Sequence, residues 1–200
     1  MPRLTKSAAH PLPIISYEEG FFWLSETPDV PGTVFAGSGS IRLATWVVLR
    51  DVRTNLELFV INTHFDNVSQ SSREQSESLI RTRLDALAGD RLVVLTGDLN
   101  QGEQNAAIQI LIADSATSDL QLIDGYRQLF PVVQPDELTY HNFEGQTAGT
   151  RIDFILHDNR LVTVAADIRR DTFDGLYPSD HYPLTGILAY VFDRDDTPCF

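Results

Sequence analysis

Four apolar, β-rich runs in this chain each abut a short polar cluster, and that arrangement constrains the fold more than any other feature. Residues 56–61 lead into Asn62-Thr63-His64, and residues 92–96 into Gly97-Asp98-Leu99-Asn100. Arg151-Ile152-Asp153 opens the run 152–156, and Ser179-Asp180-His181 precedes the run 182–191. Strand ends on a rigid sheet are where side chains distant in sequence can be held toward one point. One Asp beside a strand carries little information. Two His, three Asp and an Asn at four such places carry a good deal.

The intervening segments complete an α/β pattern of mixed strand pairing. Residues 14–17 and 20–24 read as short strands, and 27–40 as a loop rich in Pro, Gly and Ser. Residues 43–50 and 56–63 form a hairpin around 51–55. Ser71 with Glu74 three residues on reads as a capping box. Leu79, Ile80, Leu84 and Leu87 then follow at helical spacing, with Gly89 as the stop. A second helix is expected over 103–113 and a short one over 124–130. Strands are expected over 138–141, 151–156, 161–170 and 183–192. The chain divides into an irregular lead (1–13), one domain (14–192) and a tail (193–200).

Composition narrows the chemistry. Two hundred residues can bury one sizeable core, and the 42% apolar and 22% charged shares are those of an ordinary globular domain. The net charge of −13, with 15 basic residues against 28 acidic ones, disfavours nucleic acid held through phosphate contacts. It leaves room for an enzyme whose carboxylates meet phosphate through divalent cations. The single Cys, Cys199, excludes an internal disulfide and a thiolate zinc cluster. No apolar run is long enough to span a membrane, and no signal peptide is visible in this sequence, so the cytoplasm is the default expectation.

Each polar cluster admits a chemical and a bland reading. Asp98 and Asn100 flank Leu99, so both side chains are expected on one side of the strand end. Asp98 would orient or deprotonate water while the Asn100 amide donates to a phosphate; the alternative is an Asx turn closing a strand. His64 ends an apolar strand, where a lone His more often satisfies a structural hydrogen bond. Asp153 lies between Ile152 and Phe154, and a carboxylate inside such a strand is costly unless paired. His181 is its natural partner; Arg151 or solvent is the alternative. Asp180, between Pro178 and Pro183, would be free to meet a cation.

Together these motifs resemble the endonuclease/exonuclease/phosphatase superfamily, from about Phe21 to Leu188. Three further stretches carry the likeness: Phe22-Trp23-Leu24-Ser25-Glu26-Thr27-Pro28, Ala44-Thr45-Trp46 and Thr139-Tyr140-His141-Asn142-Phe143. The resemblance implies a four-layered α/β sandwich of two packed mixed sheets flanked by helices. It implies hydrolysis of phosphate esters, as a phosphodiesterase or phosphomonoesterase, with magnesium or manganese as cofactor. In that setting Asp98 activates water, Asn100 holds the phosphate, and His181 stabilises the phosphoryl oxygens with Asp153 behind it. His64 supports the site, and Asp180 and Asp98 lie at the metal. The substrate class stays open among nucleic acid, sugar phosphate, inositol phosphate and lipid head group, with charge disfavouring nucleic acid.

The sequence departs from the family pattern at one place. An Asn-bearing strand and a helix carrying a metal-ligand Glu are expected before the Phe-Trp-Leu-Ser-Glu-Thr-Pro stretch, which here starts at residue 22. Both elements are therefore expected to be missing, and none of Glu18, Glu19 and Glu26 has the ligand's context. That leaves two functional readings, a phosphoesterase with an incomplete metal site or a non-catalytic remnant of the fold that binds a partner. An uncovered sheet edge would favour self-association.

Overall fold

The computed structural model of the protein describes residues 14–112 and 120–191. The expected lead and tail lie outside the described residues. β1 (Ile14–Trp23), β2 (Leu43–Asp51) and β3 (Glu57–His64) run as an antiparallel meander; the connection from β2 to β3 is too short for a crossover, and the longer loop 24–42 returns β1 to its neighbour. α1 (Gln70–Leu87) then carries the chain back, so that β4 (Leu92–Asp98) lies parallel to β3. α2 (Ala106–Ile112), β5 (Leu122–Asp124) and α3 (Gly125–Leu129) follow. β6 (Asp153–Asp158) inserts antiparallel between β4 and β5. The resulting sheet has the order β1-β2-β3-β4-β6-β5. β7 (Leu161–Ile168) and β8 (Leu184–Tyr190) make a separate antiparallel pair.

Side-chain alternation divides the core into two. Phe59 and Ile61 of β3, Val93 and Leu95 of β4, and Phe154 and Leu156 of β6 pack against Ile80 and Leu84 of α1 and Ile108 and Leu111 of α2. The intervening residues Leu58, Val60, Leu92, Val94 and Ile155 meet Leu161, Leu188 and Tyr190 of the second sheet. The layers are thus helices, a six-stranded mixed sheet and a two-stranded antiparallel sheet. The α/β fold with two packed sheets is as expected, whereas among the described residues the second sheet is antiparallel and not mixed. The outer side of the β7–β8 pair leaves Val164 and Ile187 exposed.

Local departures from the sequence reading have identifiable causes. The two short strands before Leu24 are one strand, with a bulge between Ser16 and Glu18 absorbing the break in alternation. α1 starts two residues early: Ser69, not Ser71, caps it by accepting from the Ser72 backbone N–H at 3.1 Å. Gly89 follows the helix at φ +58, as a stop signal should. Residues 138–141 form no strand, only one bridge between Tyr140 and His181.

Asp66 shows how strongly one side chain can organise a turn. Buried just past β3, its carboxylate accepts backbone N–H groups from Gly39, Ser40, Val68 and Ser69, all between 2.7 and 2.9 Å. Burial pushes its pKa up, but those four donors outweigh it and hold the carboxyl below its ordinary value. A depressed folded-state value means the stabilisation is present above the unfolded value and is lost as pH falls through the folded one. Asp66→Asn is expected to cost about 3 kcal/mol at neutral pH, since an amide cannot accept all four bonds. In paired denaturant melts the difference from the parent should shrink below about pH 4. A gap that stays constant into acid would refute the electrostatic account.

Candidate active site

The register that builds the large sheet also aligns three of the expected site residues. His64 pairs with Asp98 across β3–β4, and Asp98 pairs with Asp153 across β4–β6. The alternation that sends Ile61, Leu95 and Phe154 toward the helices puts His64, Asp98 and Asp153 on the opposite face, in one row at the sheet's rim. His64 Nε2 lies 3.2 Å from Asp98 Oδ2.

His181 completes the group from a loop. Its Nδ1 lies 2.8 Å from Asp153 Oδ2 and its Nε2 3.7 Å from Asp98 Oδ2, so the imidazole spans both carboxylates. Burial of His181 works against its protonation. The hydrogen bond and charge of Asp153, with the charges of Asp98 and Asp180, outweigh that and raise its pKa above the ordinary imidazole value. Arg151 does not compete for the Asp153 carboxylate. It is buried, with Nη2 at 2.5 Å from Asp124 and 3.4 Å from Glu103, and its guanidinium sits 4.3 Å from the Phe154 ring centre. It reaches Asp153 only through Nη1, which donates to the backbone carbonyl at 3.1 Å.

Asn100 is reached differently from the sequence expectation. The strand ends at Asp98, whose Oδ1 accepts from the Asn100 backbone N–H at 2.8 Å. That Asx turn carries Asn100 to φ +54, so strand alternation does not extend to it. Its amide donates to the Phe65 carbonyl at 2.9 Å, which fixes the side chain. The bland reading of Gly-Asp-Leu-Asn as a turn is therefore present in the geometry, and it coexists with an Asp98 carboxylate whose other oxygen faces both His.

Among the described residues, Asp98, Asp153 and His181 form the group whose ligand atoms converge tightly enough to hold a metal ion, within 4.8 Å of one another. Two carboxylates, partly open to solvent, suit a divalent cation that keeps several waters. Of the two expected ligands, Asp98 belongs to this group and the Asp180 carboxylate does not; the Ser179 hydroxyl donates to it at 3.4 Å. Glu18 is at the far end of the sheet, paired with Arg91 at 3.0 Å.

Two residues of the Thr139-Tyr140-His141 stretch touch the site, although the sequence reading gave them no role. The Tyr140 ring packs on His181 with centroids 5.1 Å apart and stays largely exposed. Thr139 is buried and bonded to the segments carrying both Asp153 and His181. Their signal in the sequence was the stretch's share in the family resemblance, which assigns no role to the single residues. Next to Asn100 and Ile152 opens a cavity of about 480 Å³, whose wall includes Arg127 paired with Glu103 and Glu137. Cavities of about 550 and 500 Å³ at Arg91 and Arg160 lie at the other end of the sheet, away from the site.

Comparison with known proteins follows the same lines. Residues 10–181 match the family model described as the Endonuclease/Exonuclease/phosphatase family. An endonuclease/exonuclease/phosphatase from Bacteroides vulgatus is similar at 28% identity and TM-score 0.76, with 89% of this chain and 67% of that one covered. A mannosyl-6-phosphatase from Bacteroides thetaiotaomicron is similar at 24% identity and TM-score 0.76, covering 88% and 67%. The human Nocturnin catalytic domain, solved with a bound sulfate anion, shares the fold at 16% identity and TM-score 0.67, covering 89% and 60%. This chain thus spans about two thirds of the length of the bacterial structures. No curated protein matches it.

Proposed function

Because the chain belongs to the endonuclease/exonuclease/phosphatase family, we propose that it hydrolyses phosphate esters with the help of a divalent cation, magnesium or manganese, and acts on a small phosphate ester in preference to nucleic acid. The observation that carries this reading is the row of His64, Asp98 and Asp153 with His181 bridging its two carboxylates. A cation held by Asp98 and Asp153, with Asp180 acting through water, would neutralise phosphoryl charge.

The chain's own residues supply the remaining roles. Asp98, its Oδ2 toward His64 and His181, orients the attacking water and accepts its proton. His64 holds that carboxylate in place. Asn100 has one amide N–H on Phe65 and offers the other to a phosphoryl oxygen. His181, its Nδ1 held by Asp153, faces the phosphoryl group with its Nε2 side. The cavity beside Asn100 gives room for a leaving group, and its two cations are already paired, Arg127 with Glu103 and Glu137 and Arg151 with Asp124 and Glu103, which disfavours a second phosphate there. The net charge of −13 and the likeness to a mannosyl-6-phosphatase also support a small substrate such as a sugar phosphate.

The test is direct. With millimolar magnesium the protein is expected to release p-nitrophenol from p-nitrophenyl phosphate, to lose that activity in EDTA, and to regain it with magnesium or manganese. Release that ignores the chelator would remove the metal from the scheme. A second reading, a binding protein without turnover, is favoured by one observation: Glu18, Glu19 and Glu26 are exposed and contribute nothing to the convergent group. Calorimetric titration separates the two, since a remnant would show neither magnesium binding nor turnover.

A further inference from the structure

Thr139 is fully buried in a segment that belongs to neither sheet, yet it bonds to Asp153 and to the residue that follows His181. Its Oγ1 accepts the backbone N–H of Ile152 at 3.0 Å and that of Asp153 itself at 3.4 Å. Its carbonyl accepts the N–H of Tyr182, the residue after His181, at 2.7 Å. The next residues extend the grip: Tyr140 bridges to His181, and the Asp180 carbonyl accepts the N–H groups of His141 and Asn142 at 2.8 and 3.1 Å.

The start of β6 needs such a partner. On one side β4 lies against it, with the Leu99 N–H donating to the Ile152 carbonyl at 2.9 Å. On the other side β5 pairs only from Leu156 onward, so among the described residues no strand reaches Ile152 and Asp153 there. A buried backbone donor without an acceptor is costly, and a single hydroxyl serves two. His181 sits in a loop whose own tether is the Ser179 hydroxyl, accepting its N–H at 3.1 Å. Apart from the Asp153–His181 contact itself, no backbone bond among the described residues joins these two segments directly.

We propose that Thr139 is a positioning residue, the tie that fixes Asp153 against His181. The inference rests on the phosphoesterase reading for its functional meaning. Thr139→Val keeps the shape and removes the acceptor; Thr139→Ser keeps the acceptor. On p-nitrophenyl phosphate, Thr139→Val is expected to lower kcat about 10- to 100-fold among the folded molecules, as loss of a supporting hydrogen bond does at metal sites, with KM little changed and the melting temperature lowered because two backbone donors lose their acceptor. Thr139→Ser should restore the parent kcat. A readout independent of turnover is the His181 Nδ1–H proton, which in a carboxylate hydrogen bond resonates well downfield of the amide protons. It should broaden or vanish in Thr139→Val and persist in Thr139→Ser. If the valine protein does not fold, Thr139→Ala carries the same comparison.

A downfield proton in the parent that survives unchanged in Thr139→Val overturns the proposal. So does a kcat that falls only in proportion to the folded fraction. An inactive parent whose downfield proton still depends on the Thr139 hydroxyl would sink the phosphoesterase reading and leave the tie standing.

Discussion

Replacing Asp98 by Asn is expected to lower kcat about 10³-fold while the protein keeps its melting temperature. The fold should tolerate the change because an Asn Oδ1 can still accept the Asn100 N–H that closes the turn. What disappears is the charge between His64 and His181 and the oxygen that would take a proton from water. His181→Ala should cost a comparable factor by leaving the Asp153 carboxylate without its partner at 2.8 Å. The double variant should be little worse than either single one, since groups that act as a unit are not additive. Rates are to be compared at saturating magnesium, so that weakened metal binding is not mistaken for lost chemistry. Multiplying losses in the double variant would mean that the two residues work independently, against the bridged geometry.

Gly97→Ala is expected to be the most damaging substitution for folding, at about 4 kcal/mol or more. Gly97 adopts φ +154, and a Cβ there would lie 1.9 Å from the backbone carbonyl oxygen of Thr63. That oxygen belongs to β3 at the place where β3 and β4 pair, one residue from His64 and Asp98. Backbone on backbone cannot be relieved by a rotamer change, so the strands must separate or the chain must find another register. With total stabilities of about 5–15 kcal/mol, a loss of this size brings a small domain near its limit. Circular dichroism melts and soluble yield report it. A Gly97→Ala melt superimposing on the parent would show that the strands can part at Thr63 without cost.

The sequence was most legible where periodicity is strong. The β2–β3 hairpin, the body of α1 and the apolar strand β4 lie within a residue or two of where alternation and helical spacing place them. Less legible were features set by distant partners. Ser69 rather than Ser71 caps α1 because Asp66, through its bonds to Val68 and Ser69, fixes the turn just before the helix. The side-chain direction of Asn100 follows from an Asx turn, which local alternation does not foresee. The Asp153–His181 contact could be anticipated because an unpaired carboxylate in a strand demands a partner. The convergence of Asp153 with Asp98 could not, since it depends on β6 lying beside β4, a matter of sheet order and not of local pattern. Thr139 gave no signal of its own, because a buried hydroxyl declares its role only when its acceptors and donors are known.

The parallel pairing of β3 with β4 has a consequence for how the molecule assembles. β2 and β3 can zip together from a short turn, whereas His64 cannot meet Asp98 until α1 has closed a longer loop. Asp153 arrives by a second closure and His181 by a third. The rim is thus a late product of folding, and partly folded chains present no ligand-binding surface there. A ligand that binds the rim would draw the whole population toward the completed state by mass action. Protection from a protease on adding that ligand should therefore extend to cleavage sites far from the rim, as on the β1–β2 meander.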